Sequence, residues 1–546
     1  MRENIDYALV EEKRPPIYTA MKYWGKKPHN IWGNYIKNYA TPNDVILDPF
    51  AGSAMSAFEA VKHGRKAIAF DINPLTTFLI EVFATKFDIK TFSTALKEIV
   101  SQIETDETYK HFFLTKCDKC GKTNAVVQHL KWDNGQIYEV GIICSKCKTR
   151  YISVPTVKQI KVADEMRNIS IKTWIPPDVF YTSPSFTNSF VKNIGGNRFS
   201  DIWTKRNLYI ISQIFTKILN VCCEDIKKQL FFGFIQTIHL ASKMCVPRRE
   251  AANRAFSTSW GRSAYICSKR QMEMNPLFLF QNNCIGKQSV QSALEGVYTY
   301  LGKIPKIKLI TKTNIDCESC DFDILYGTVD INSITDYIKA ESVSFIITDP
   351  PYGGLVQYMD LSQIWLIWLK KFDVRFTPNI QAEITIKKNI QDLTAYTQKF
   401  TTGIKNLYNI LKADGKIVFT FHNKDLMIWN SFLRSISVAG FRVEKVIHQQ
   451  NRRTGESNVA NPYGTSASDF YIRCSKSKHI KKIKTTKDAF ENFIVNCAVK
   501  IIEARNEPTP YQILFDGLLS EISRAGFDLE NFDDNIPMII CIHVFY

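Results

Sequence analysis

Residues 44–74 read "DVILDPFAGSAMSAFEAVKHGRKAIAFDINP", and this stretch decides the fold class. "DVILDPF" has the apolar run of a buried strand, "AMSAFEAVKHG" a helical pattern closed by Gly64, and "KAIAFDINP" a second buried strand. Strand, helix and strand within about 30 residues predict a βαβ unit of a doubly wound α/β sheet. In such a sheet the turn after the first strand approaches a nucleotide-like ligand closely, and a Cβ there would collide with it. Gly52 holds that place, with Asp48, Phe50 and Ser53 beside it. Asp71, 23 positions after Asp48 and followed by Ile72, stands where an acid at the end of the second strand accepts both ribose hydroxyls. A pyrophosphate needs several close backbone N–H groups and a glycine-rich turn. This turn has a single glycine, so a ribose-bearing ligand without phosphate fits better, and S-adenosylmethionine is favoured over NAD.

A second stretch, "SFIITDPPYGG" at 344–354, ends an apolar strand in an acid, two prolines, an aromatic and two glycines. Proline removes a backbone donor and fixes φ, so the strand must stop, but a plain turn needs only one proline and one glycine. The excess suggests a rigid ledge. An exocyclic amine on adenine or cytosine is a weak nucleophile because its lone pair is delocalised into the ring. Acceptors that draw on its hydrogens pull the nitrogen towards tetrahedral geometry. Asp349 and the carbonyl of Pro350 supply two such acceptors, Pro351 stiffens the turn, and Tyr352 offers a face for the base. Flipping a base out of a duplex costs a few kcal/mol, which stacking at ~1–3 kcal/mol per base helps to offset.

These residues carry a resemblance. "DPFAGSA", "FDINP" and "TDPPYGG" look like motifs I, II and IV of the DNA amino-methyltransferases in the α-type order, and "YGTVDI" with Asp330 resembles motif III. "MKYWGKKPHNIWGNYI" is similar to the segment that precedes motif I and closes over the cofactor's methionine end. More narrowly, "DIWTKRNLYIISQIF", "GLVQYMDLSQIWLIWL" and "VFTFHNKDLMIWNSFLRSISVAGFRVEKV" resemble segments of adenine-specific DNA methylases that carry a zinc ribbon. The similarity runs from residue 15 to about 475. It implies a Rossmann-like S-adenosylmethionine-dependent methyltransferase fold with a seven-stranded, mostly parallel sheet. Cofactor would sit on Asp48, Phe50, Gly52, Ser53, Asp71 and Ile72, and the base on Asp349, Pro350, Pro351 and Tyr352. An acid-initiated DPPY resembles the adenine-N6 enzymes; cytosine N4 remains the alternative, as does RNA in place of DNA. "TSPSF" at 182–186 lacks the second proline of a cytosine-type motif and reads as a loop. One position departs from the family: Ala54 stands where a glycine is usual, and its methyl is expected to crowd the cofactor. That departure supports the rival class, a zinc-ribbon nucleic-acid-binding protein with a decayed methyltransferase site.

At 546 residues the chain has room for three to four units at ~150 residues each. The pattern divides it into a first methyltransferase part (1–85), an insertion (86–310) with a cysteine-rich ribbon (113–152) and a DNA-recognition region, a second methyltransferase part (311–475), and a basic linker with a C-terminal extension (476–546). The balance of 70 Lys+Arg against 53 Asp+Glu gives +17 and points to a polyanionic partner, double-stranded DNA first. Between 243 and 270, Arg248, Arg249, Arg254, Arg262 and Arg270 interleave with Phe256, Trp260 and Tyr265, which suits contact to phosphates and base edges. Arg452 and Arg453 are weaker candidates. The longest apolar stretches, such as "QLFFGFIQTIHLA", fall short of a membrane span, and "MRENIDYALVEEKRPP" has no signal-peptide core, so no membrane association and a cytoplasmic place are expected. In that reducing setting the 14 cysteines are expected to be reduced or metal-bound. "CDKC" (Cys117, Cys120) and "CSKC" (Cys144, Cys147) have the spacing of a closed, structural zinc site, whereas a redox motif needs one such pair. "CESC" at 317–320 has no matching pair and reads as core. A bacterial or phage origin and a cognate restriction endonuclease as partner are implied by the family alone.

Overall fold

The buried runs become the strands of one sheet: β1 (Val45–Asp48), β2 (Lys66–Asp71), β3 (Ile307–Leu309), β4 (Ile324–Thr328), β5 (Val343–Thr348), β6 (Leu411–Phe421), β7 (Phe441–Gln450) and β8 (Ser468–Lys476). The computed structural model describes residues 3–505 apart from 21–22, 249–254, 263, 312–314, 318, 424, 451–467 and 478–485, and beyond them 514, 517–518, 521 and 525. Its main sheet has eight strands in the order β3-β4-β2-β1-β5-β6-β8-β7. Every pair from β3 to β6 is parallel, and β8 runs antiparallel between β6 and β7. The architecture is the expected Rossmann-like methyltransferase fold. The strand beyond the seven expected is β3, which pairs Ile307 with Ile324 on the edge of the sheet. It lies within the stretch assigned to the insertion, so the chain rejoins the sheet before residue 310.

Alternate residues of the parallel strands point to opposite faces, and both faces are covered. Ile46, Ala67, Ala69 and Phe345 belong to one core with helices α1 (His29–Tyr39), α2 (Met55–Lys62), α3 (Pro74–Phe83) and α4 (Tyr358–Phe372). Leu47, Ile68, Phe70 and Ile346 belong to the other, with α5 (Leu393–Ile410) and α6 (Leu426–Val438). β1 is flanked by β2 and β5, which the chain reaches in opposite directions. The crevice outside their carboxyl ends is where open α/β sheets bind ligands. Asp48 ends β1, Asp71 ends β2 and Thr348 ends β5.

The insertion leaves after α3. Its helices pack on the first face, where Phe231 stacks on Phe372 at 4.3 Å and meets Phe78 edge-on at 5.4 Å. Its strands Leu114–Thr115, Ala125–Asp133, Gln136–Cys144 and Thr149–Ser153 form an antiparallel sheet, which Arg270–Met274 joins beside Ala125–Asp133. Among the described residues no helix is long and apolar enough to cross a membrane.

Candidate active site

β1 delivers Asp48 to the crevice, where Thr348 Oγ1 and the Phe50 amide donate to its Oδ1 at 2.7 and 3.1 Å. Burial pushes its carboxyl up to about 7. β2 delivers Asp71, whose two oxygens accept from the amides of Gly52 and Asn73, each at 2.8 Å. Burial raises Asp71 to about 6, against those two bonds. The Gly52 carbonyl accepts from Thr76 at 2.6 Å, so the turn after β1 is locked to the start of α3. One cavity is lined by Asp48, Phe50, Gly52, Ser53, Asp71 and Ile72, the whole set read from the sequence as cofactor-binding.

Two positions in this wall need their backbone. Gly52 has φ +50°, and a Cβ there would lie 3.1 Å from the ring of Tyr23. Tyr23 stacks on Tyr358 at 6.2 Å and closes the cavity from above. Ala54 also has positive φ, +59°, as the residue before α2. It is fully buried and does not line the cavity. The methyl thus sits in the wall and offers no surface to the cavity, so the structure gives the expected crowding no support. The glycine usual at this place answers to the backbone, where an L-residue in the left-handed region costs about 1–2 kcal/mol.

The lining also holds the carboxylates of Asp330, Asp349 and Glu383. An acidic cavity in a protein of charge +17 suits a cationic ligand with a ribose, as S-adenosylmethionine is. The residues present fit that cofactor.

The ledge begins directly after β5. Thr420 Oγ1 and the Tyr352 hydroxyl donate to Asp349 Oδ1, and Lys27 Nζ stands 3.2 Å from the same oxygen. Oδ2 lies on the side of Gly25, 3.8 Å from where a Cβ would be. The carbonyl of Pro351 accepts from Tyr396 at 2.8 Å and that of Tyr352 from Asn423 at 3.1 Å. That of Gly353 accepts from the Ile386 amide at 3.3 Å. The Pro350 carbonyl accepts no hydrogen bond from the described residues. Asp349 and Pro351 line the cavity, and Pro350 and Tyr352 do not. The Tyr352 ring packs edge-on against Phe421 at 5.1 Å.

The DNA methylase family model matches residues 9–77, which span the strap over the cavity, β1, α2 and β2. The chain is 25% identical over 452 residues to the Type II methyltransferase M.MjaII of Methanocaldococcus jannaschii, covering 79% of this chain and 76% of that protein. The matches indicate a DNA methyltransferase of the N6-adenine/N4-cytosine type.

Lys27, Asp469, Tyr396 and Asn423 are residues of this ledge that the sequence did not reveal. Lys27 sits inside the quoted segment before motif I, and that neighbourhood is the one signal that pointed to it. The DNA-contact set divides. Arg248 is exposed and lines a cavity of about 490 Å³ with Arg150 and Lys287. Arg270 is exposed on the ribbon sheet, its guanidinium 5.5 Å from the ring of Tyr138. Arg249, Arg254, Arg452 and Arg453 lie outside the described residues, as does the side chain of Arg262. One aromatic expected to meet DNA packs inside the protein instead: Tyr265 is buried with its hydroxyl on the Leu361 carbonyl at 3.2 Å. Trp260 is half-buried, stacks on Trp24 and on His239, and lines the same cavity as Arg248. "TSPSF" is a loop, docked on Asp360 of α4 through Ser183 and Ser185.

The sulfurs of Cys117, Cys120, Cys144 and Cys147 lie within 4.8 Å of one another. Cys117 and Cys147 are 3.7 Å apart and Cys120 and Cys144 3.6 Å. Tetrahedral Zn–S bonds of ~2.3 Å require sulfurs ~3.8 Å apart, so the cluster fits a zinc ion with no position left open. Cys317 is buried in the second core and is no part of this cluster.

Proposed function

We propose that the protein transfers the methyl of S-adenosylmethionine to the N6 amine of a flipped adenine in duplex DNA, at a specific sequence. One observation carries this reading: Pro350 offers an untaken carbonyl beside Asp349, while the next three carbonyls of the ledge are all engaged. The bound cofactor supplies an electrophilic methyl. Asp349 and the Pro350 carbonyl accept hydrogen bonds from the two amine N–H groups, localising the lone pair on nitrogen; the nitrogen gains the methyl and releases one of its protons to solvent, while Tyr352 with Pro351 holds the base plane. Asp71 holds the ribose, and Asp48, Phe50, Gly52, Ser53 and Ile72 complete the cofactor's bed. Catalysis comes chiefly from this positioning. Arg248 and Arg270, with Arg249, Arg254 and Arg262, contact DNA in this reading, and zinc holds the ribbon that presents Arg270.

The acid-initiated DPPY supports adenine over cytosine. That the relative is a Type II methyltransferase supports a place in restriction and modification beside a cognate endonuclease. The division at 86, 310 and 476 belongs to the same proposal, with β3 drawing the end of the insertion back before 307.

The test is transfer of labelled methyl to unmethylated DNA by the wild type and Asp349→Ala, with identification of the modified nucleoside. N6-methyladenine is expected from the wild type, with a loss of about 10²–10³-fold or more in the variant. N4-methylcytosine would overturn the base assignment, and transfer to RNA alone the substrate. Bound cofactor without transfer would favour the nucleic-acid-binding reading.

A further inference from the structure

The ledge contains a cation that the transfer chemistry above does not use. Lys27 is 8% exposed and its Nζ lies between two carboxylates, 3.2 Å from Asp349 Oδ1 and 3.0 Å from Asp469 Oδ2. It also donates to the Tyr352 hydroxyl at 2.7 Å. We infer that Lys27 is a positioning residue: clamped by Asp469, it holds Asp349 as an anion and gathers its Oδ1, leaving Oδ2 for the amine of the target base. This rests on the reading of Asp349 as amine acceptor.

Two buried carboxylates side by side do not both ionise unless a cation stands between them. A protonated Asp349 would present a donor to the amine, not an acceptor. Burial raises the Asp349 carboxyl, Lys27 opposes the rise, and Asp469 adds to it. Every element around the group takes part. Lys27 comes from the strap before α1, Tyr352 from the ledge, and Thr420 from β6. Tyr358 of α4 faces it, and β8 brings Asp469 and Tyr471. His448 of β7 faces Asp469 in turn. On Lys27 itself burial lowers the ammonium's pKa, and the two carboxylates outweigh it and hold the group charged.

Lys27 and Asp469 therefore push Asp349 in opposite directions, and a merely structural role would not. The experiment is the pH profile of kcat/KM for the wild type, Lys27→Met, Lys27→Arg and Asp469→Asn. In parallel, the Asp349 carboxylate band is titrated by infrared difference against each protein's Asp349→Asn counterpart, without substrate. The acid limb of Lys27→Met is expected at higher pH, each unit costing about tenfold in rate on that limb, with recovery in alkali. In Asp469→Asn the limb is expected at lower pH, and Lys27→Arg should stay near the wild type. The infrared midpoints should move the same way. Midpoints unmoved in both charge-removing variants, or activity lost equally at all pH, would overturn the inference. Absence of transfer by the wild type would overturn the proposed function instead, and the infrared titration would still decide the role of Lys27.

Discussion

The cavity over β1 and β5 and the ribbon of the insertion carry opposite charges in opposite ways. The cavity's carboxylates are withdrawn from water and each is met by amides, hydroxyls or an ammonium. At the ribbon, Lys116, Lys119, Lys122, Lys146, Lys148 and Arg150 are exposed, with Asp118 among them. Burying a charge is costly unless it is paired and bonded, so a buried set is shaped for one ligand. Exposed cations keep their hydration until counterions are released, so they suit a polyanion of any sequence. The two regions should therefore fail separately.

Metal removal tests that most severely. A purified chain is expected to carry one zinc, and chelation or Cys144→Ser should unfold the ribbon and weaken DNA binding at least tenfold, since structural zinc contributes directly to folding. Cofactor affinity by calorimetry should stay within about threefold. A collapse of both would show that ribbon and cavity are one cooperative unit.

Asp71→Asn should do the reverse. Hydrogen bonds to a charged group are worth ~1.5–3 kcal/mol, so cofactor affinity should fall about 10- to 100-fold with DNA binding unchanged. The wild type should show the same loss with pH. Burial raises Asp48 to about 7 and Asp71 to about 6, so each is protonated as pH falls through those values. Affinity for the cationic ligand should then decline below about pH 7, a trend that Asp71→Asn should flatten. A pH-independent affinity would remove these carboxylates from the binding site.

Arg248→Ala is a smaller perturbation, because one phosphate contact is one term among many. The slope of log affinity against log salt should fall by about 1, and target preference should be kept. A relaxed target preference would make Arg248 a base reader.

Ala54→Gly should have the smallest effect. Relief of the left-handed backbone, less the flexibility glycine adds to the unfolded chain, should stabilise by about 0.5–1 kcal/mol. Cofactor affinity should not change, because the methyl lies in the wall. A tenfold gain in affinity would revive crowding.

The placement of Asp48, Asp71 and Asp349 was legible from the chain because it is local. Each follows directly on an apolar run, and the parallel sheet carries all such endings to one edge. The cysteine cluster was legible for a similar reason, since two short turns bring their own thiols together and one hairpin joins them. What interleaved basic and aromatic letters between 243 and 270 meant was not legible. Packing turned Tyr265 inward, and strand pairing drew Arg270 to the ribbon while Arg248 and Trp260 line another cavity. Ala54 read as a steric change, and only its φ of +59° made it a backbone one. Lys27, Asp349 and Asp469 meet from three distant parts of the chain, and no spacing rule joins them. Local pattern thus determined the fold class and the ends of its strands. Which charges share one buried volume was decided by the tertiary structure, because burial and pairing are properties of the packed molecule.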